Sequence, residues 1–164
     1  MKFIGIDPGA KGALCLNDGG ALTIIDMPIS CVKQGAKMVS QLDGYALRDW
    51  FIEMGHVDEV IIERTQSMPG NAGQAVHNFG LSTGMIHGIL VALDRPWRIV
   101  HAATWTKALG VGSDKSYHRA VASRMFPAYS LSFRRVEDDG RADAALLSTY
   151  TQLRAQLGTK ILAE

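Results

Sequence analysis

Residues 2–26 read KFIGIDPGAKGALCLNDGGALTIID. Lys2 to Asp7 is apolar enough for a strand buried on both faces. Pro8-Gly9-Ala10-Lys11-Gly12 then forms a turn. Ala13 to Leu16 makes a second strand, and Asn17-Asp18-Gly19-Gly20 is a hairpin signal leading to a third, Ala21 to Asp26. Strands joined by turns this tight can only be antiparallel neighbours. Met27 to Ser40 is mixed in polarity and is expected to be a loop. Asp43 then caps a helix running to about Met54.

Downstream the period changes. Val60-Ile61-Ile62 is a short buried strand ending in Glu63. A loop from Arg64 to Asn71 leads to a long helix from about Ala72 to Leu93, which Arg95-Pro96 ends. Val76, Phe79, Ile86 and Leu90 lie to one side of it, and Gly80, Gly84 and Gly88 line a single face. Trp97 to Val100 is the fifth strand and Ala103 to Leu109 a short helix. Ser113 or Asp114 caps another helix reaching about Phe126. Pro127 to Val136 is irregular and basic. Asp138 or Asp139 opens the last helix. Strands separated by helices pair in parallel through right-handed crossovers. The expected fold is therefore α/β: a five-stranded mixed sheet of three antiparallel N-terminal strands and two further parallel strands, with helices on both faces.

Composition narrows the function. The chain has 164 residues, 47% of them hydrophobic and 20% charged, with net charge +1. That predicts one domain, residues 1–164, and excludes a disordered chain or a collagen-like repeat. Cys15 and Cys31 form no pair at metal or redox spacing, and no two of the five histidines are spaced as paired metal ligands. Each histidine is expected to be structural or solvated. No apolar run approaches a membrane span and no leader is visible, so a cytoplasmic protein with no membrane partner is expected.

The acids stand out by position. Asp7 and Glu63 each end a buried strand. If those strands are parallel neighbours, both carboxylates reach the end of the sheet where open α/β folds place their sites. Burying two carboxylates side by side is costly unless a divalent cation neutralises them. Asp143, within Gly140-Arg141-Ala142-Asp143-Ala144, lies on a helix face small enough to pack close to a sheet. Asp139, four positions earlier, is about 40° away around that helix and can face the same point, whereas Asp138 is about 140° away. Capping of the helix is the plainer role for both, and is preferred for Asp138.

Basic residues gather in the second half. Residues 95–124 hold Arg95, Arg98, Lys107, Lys115, Arg119 and Arg124 against one acid, Asp114. Arg134, Arg135 and Arg141 follow. Such side chains suit phosphate contacts, although singly each is also an ordinary solvated cation.

Together these motifs resemble the RuvC family of Holliday-junction resolvases, which have a ribonuclease H-like fold. The resemblance rests on Ile4-Gly5-Ile6-Asp7-Pro8-Gly9, Ile61-Ile62-Glu63 and Gly140-Arg141-Ala142-Asp143-Ala144. It extends through Asn78-Phe79-Gly80 with Gly84, Thr104-Trp105-Thr106-Lys107-Ala108-Leu109-Gly110 and Asp114-Lys115, which look like the phage and prophage branch. It implies a homodimeric endonuclease that cuts four-way and other branched DNA with paired nicks. Asp7, Glu63, Asp139 and Asp143 would be its catalytic and metal-binding acids, holding two Mg²⁺ ions, with Mn²⁺ able to substitute. Lys107, Lys115 and Arg119 would contact DNA, and the glycine-lined helix would lie at the dimer interface.

The chain departs from the family pattern twice. Well-known bacterial members place the fourth acid where Gly140 stands, which leaves Asp139 as the nearest inward-facing acid. They also carry an aromatic side chain three residues after the equivalent of Glu63, where this chain has Gln66, with Met68 the nearest apolar wedge. That second departure keeps open a less selective fork or flap nuclease, or an RNA-processing relative.

Overall fold

The computed structural model describes residues 1–64 and 73–161. Its main sheet has five strands in the order β3-β2-β1-β6-β7. They are β1 (Lys2–Asp7), β2 (Ala13–Asp18), β3 (Ala21–Asp26), β6 (Glu59–Glu63) and β7 (Trp97–Val100). The first three pair antiparallel, and β1, β6 and β7 pair in parallel. The expected mixed sheet is therefore observed, with its N-terminal meander on one side and its two crossovers on the other.

Between β3 and the first helix the structure differs from the expected loop. Ile29–Gln34 (β4) and Lys37–Leu42 (β5) form a separate antiparallel ribbon. It turns at Gly35, whose φ of 61° suits a residue without a Cβ. Both strands alternate weakly between polar and apolar residues, and both ribbon faces are largely exposed. A strand with so little buried surface carries no strong period-two signal.

The helices follow the sequence closely. They are α1 (Gly44–Glu53), α2 (Gly73–Ala92), α3 (Ala102–Leu109), α4 (Lys115–Met125) and α5 (Asp139–Ile161). Asp43 caps α1, accepting from the Tyr45 and Ala46 N–H groups at 3.1 and 3.0 Å. Asp114 caps α4 by accepting from the Ser116 N–H at 2.8 Å. The irregular stretch before α5 is two short 3-10 helices, Pro127–Phe133 and Val136–Asp138. No helix among the described residues is long and apolar enough to cross a membrane.

Alternation along the strands sorts the core onto two faces. Ile4, Ile6, Leu14, Val60 and Ile62 point to α1 and α2, where Leu47, Trp50, Phe51, Ile86 and Leu90 meet them. Ala13, Cys15, Ile61 and Val100 point the other way, towards Trp105, Phe133 and the alanine-rich start of α5. On α2, Ile86 and Leu90 are buried, whereas Phe79 is only half-buried and Val76 is exposed. The glycines of that helix do not serve the core. A Cβ added at Gly80, Gly84 or Gly88 meets no described atom within 4 Å.

Candidate active site

The sheet register brings the two strand-ending acids together. Ile6 of β1 pairs with Ile62 of β6, so Asp7 and Glu63 are the next residues of adjacent parallel strands. Asp143 arrives from the opposite layer. It stands one turn into α5, fully buried, because α5 lies directly on β1. Glycine makes that approach possible. A Cβ at Gly5 would overlap the Ala144 carbonyl oxygen and come within 2.7 Å of the Ser148 nitrogen.

The three carboxylates feel one another. Burial pushes the Asp7 carboxyl above its ordinary value, and the charges of Asp143 and Asp139 push it the same way. Lys115 and the Gly9 N–H, 3.4 Å from Asp7 Oδ1, pull it back only in part. Glu63 is also raised, by burial first and then by Asp143 and Asp7. Trp105 Nε1 donates to Glu63 Oε2 at 3.0 Å and holds that side chain in place.

Asp143 is fixed by two cations on α4. Lys115 Nζ donates to its Oδ2. His118 Nδ1 lies 2.7 Å from its Oδ1, and His118 Nε2 lies 3.0 Å from the Gly112 carbonyl oxygen. Both ring nitrogens therefore face acceptors, an arrangement that favours the imidazolium. Burial alone would lower the His118 pKa, but these partners outweigh it and the net shift is upward. Lys115 behaves likewise: burial opposes its charge, and the attraction of Asp143, Asp7 and Glu63 prevails. As these side chains stand, no three carboxylate or imidazole groups among the described residues converge as a metal requires. Their chemistry nonetheless suits a hard divalent cation. All three acids offer oxygen donors, and two of them, Asp7 and Glu63, are raised by burial and by their acidic neighbours, which a cation bound there would offset.

The remaining candidates divide. Asp139 opens α5 and is half-buried, and its carboxylate accepts from Arg119. Its charge reaches Asp7 as the weakest of the influences there, which places it at the margin of the cluster. Asp138 points elsewhere, as its helical angle predicts: it is buried against Arg135 at 2.9 Å and Arg141 at 3.5 Å. Lys107 is exposed and lines a cleft of about 550 Å³ together with Glu63, Trp105, Lys115 and His118. Arg119 is committed to Asp139. Gln66 and Met68 lie outside the described residues.

One reading of the sequence changes. Arg95 and Arg98 flank the start of β7, at the end of the sheet away from the acids, and bind the Phe51 carbonyl and Glu59. They do not face the site. His118, expected to be structural or solvated, is buried and grips Asp143, a partner the sequence did not reveal. Its position one turn after Lys115 is the only signal the sequence offers, and the acid it serves lies 25 positions away. Trp105 was likewise missed as the donor to Glu63. The absence of an acid at Gly140 has a steric reason. A Cβ there would come within 2.7 Å of both Gly12 Cα and the Lys11 carbonyl oxygen.

No family model matches the chain, and no curated protein sequence matches it. Solved structures do. RuvC of T. thermophilus in complex with a Holliday junction substrate aligns with a TM-score of 0.63 at 15% identity, covering 97% of this chain and 98% of that one. A second Thermus thermophilus RuvC structure gives 0.60 at 16%, with the same coverage. The yeast mitochondrial Holliday junction resolvase Ydc2 gives 0.52 at 16%, covering 90% of this chain and 76% of that one. The class is thus a ribonuclease H-like α/β fold, and within that class the arrangement is the RuvC-like one.

Proposed function

We propose that residues 1–164 form one nuclease domain: a cytoplasmic, structure-selective DNA endonuclease that resolves four-way junctions by metal-dependent phosphodiester hydrolysis. One observation carries this reading. Asp7, Glu63 and Asp143, from three separate elements, gather at the carboxyl end of the sheet, where burial and the charge of Asp143 raise the Asp7 and Glu63 carboxyls. A fold needs no such cluster for its own stability. The RuvC-like architecture supports a nuclease, and the phage-like motifs point to that branch of the family.

In this reading Asp7, Glu63 and Asp143 would hold the metal, two Mg²⁺ ions or Mn²⁺ in their place, with Asp139 as the outlying fourth acid. Bound there, the ions would supply activation of a water and charge neutralisation at the leaving 3′-oxygen. The chain does the positioning. His118 fixes Asp143, Trp105 fixes Glu63, and Lys115 sits between Asp143 and the cleft. Lys107 and Lys115 line the path a phosphate backbone takes towards the acids, and Arg119 orients Asp139 beside it. The open glycine face of α2 suits a second copy of the chain, and a two-fold junction needs two symmetric cuts.

The test is a nicking assay on a labelled four-way junction beside a fork, a flap and a linear duplex, with Mg²⁺ and with chelator. Paired, metal-dependent nicks confined to the junction are expected. Equal cutting of forks and flaps would replace the resolvase with a general branched-DNA nuclease. Failure to cut any DNA would overturn the reading.

A further inference from the structure

Apart from Leu42 at its base, which joins the core facing α1 and α2, the β4–β5 ribbon stands outside the core, and the catalytic cluster makes no use of it. Its root is tied to the site. The Met27 N–H donates to the Gly12 carbonyl at 2.9 Å, and the Asp43 N–H to the Pro28 carbonyl at 2.8 Å. Gly12 closes the loop that follows Asp7, and Asp26, just before the ribbon, pairs through Ala13 with Asp7 across the sheet. The ribbon therefore leaves from the catalytic end. β5 rests on α2.

Its charge is of one sign. Residues 29–42 include Lys33 and Lys37 and none of the chain's 16 acids. The two lysines flank the turn, in consecutive cross-strand pairs with Met38 and Gln34, so they extend from opposite faces and straddle the tip of the ribbon. Both are exposed, and neither pairs with an acid among the described residues. Elsewhere in the molecule most basic side chains are spent on carboxylates: Arg98 and Arg154 on Glu59, Arg119 on Asp139, Arg135 on Asp138, Arg141 on Asp26. Lys11, also exposed, lines a cleft of about 570 Å³ between the ribbon root and Asp139.

We infer that the ribbon is a second nucleic-acid contact, its Lys33 and Lys37 gripping the phosphate backbone of a DNA arm on the flank of the acids opposite Lys107. The inference rests on the nuclease reading and extends it. Six residues of strand reach at most about 20 Å, so the tip meets phosphates no further than about six base pairs from the root. The contact adds affinity and positions an arm, but it reads no base sequence.

The experiment measures four-way-junction affinity against salt for the full chain and for Lys33→Ala/Lys37→Ala, with chelator present to prevent cutting. Both side chains are exposed, so the fold is expected to persist; thermal unfolding checks it. The slope of log K against log salt should fall by about 1.8, at roughly 0.9 per lost phosphate contact. Lys33→Arg/Lys37→Arg should restore it, which a purely structural role would not do. An unchanged slope in the alanine variant, with wild-type binding intact, overturns the ribbon's role and leaves the nuclease reading standing. A wild-type chain that binds no branched DNA overturns both.

Discussion

The two faces of the sheet are packed by opposite means. Towards α1 and α2, branched and aromatic side chains such as Leu47, Trp50, Phe51 and Ile86 fill the gap. Towards α5, the contact is made by Gly5, Ala142, Ala144 and Ala145, and the helix comes close to the strand backbone. The first arrangement is tolerant, since interlocking side chains can adjust. The second leaves no room to adjust, and it delivers Asp143 to Asp7. Close packing by small residues is how an acid on a helix is brought close enough to an acid on a strand to raise its carboxyl. The large-residue face carries no acid to the site: α2 contains none, and Asp49 and Glu53 of α1 are exposed.

The sharpest way to break this contrast is at the acids themselves. Asp7→Asn should lower junction cleavage about a thousandfold or more, equivalent to about 4 kcal/mol of transition-state stabilisation, while binding persists. It should also stabilise the fold. Asp7 is raised in the folded chain, so the native state holds its proton more tightly than the unfolded state does. Its contribution is favourable below the ordinary aspartate range near 4 and is lost as pH rises through the folded value. In chelator, calorimetry should therefore find the variant melting above wild type at pH 7, with the gap closing towards pH 4. A lower melting point at pH 7 would contradict the burial argument.

Gly5→Ala attacks the close-packed face directly. Its methyl group would collide with backbone rather than with a movable side chain. A loss of about 3 kcal/mol or more is expected in denaturant titration. Cleavage per folded molecule should fall too, because α5 must retreat from β1. Leu47→Ala, on the other face, should lose a comparable 2–4 kcal/mol by opening a cavity, yet keep its cleavage rate per folded molecule. Equal damage to cleavage by both variants would erase the distinction between the faces. The smallest effect belongs to His118→Asn. Loosening one grip on Asp143 should slow cleavage about 10- to 100-fold at saturating DNA, with junction affinity unchanged.

Much of this was legible in residues 2–26, because tight turns leave antiparallel pairing as the only option. Asp43 was legible as a cap for the same local reason, and Asp114 as one of two candidates with Ser113. Asp7, Glu63 and Asp143 could be picked out because each interrupts or ends an apolar or small-residue run. What the sequence hid was non-local or weakly patterned. The β4–β5 ribbon buries too little to show a period. His118 and Trp105 meet their acids only through tertiary packing, 25 and 42 positions along the chain. The fate of Gly140 depended on a backbone, that of Gly12, whose approach no spacing rule foretells.

The close seat of α5 on β1 also sets an order of events in the making of the protein. The meander carrying Asp7 is synthesised well before the helix carrying Asp143. At common ribosomal speeds on the order of ten seconds separates them. Through that interval the emerging chain holds Asp7 and then Glu63 without their third partner. Under the proposed function the site is therefore incomplete until α5 has docked on β1, and the nascent chain would be inert with no inhibitor required.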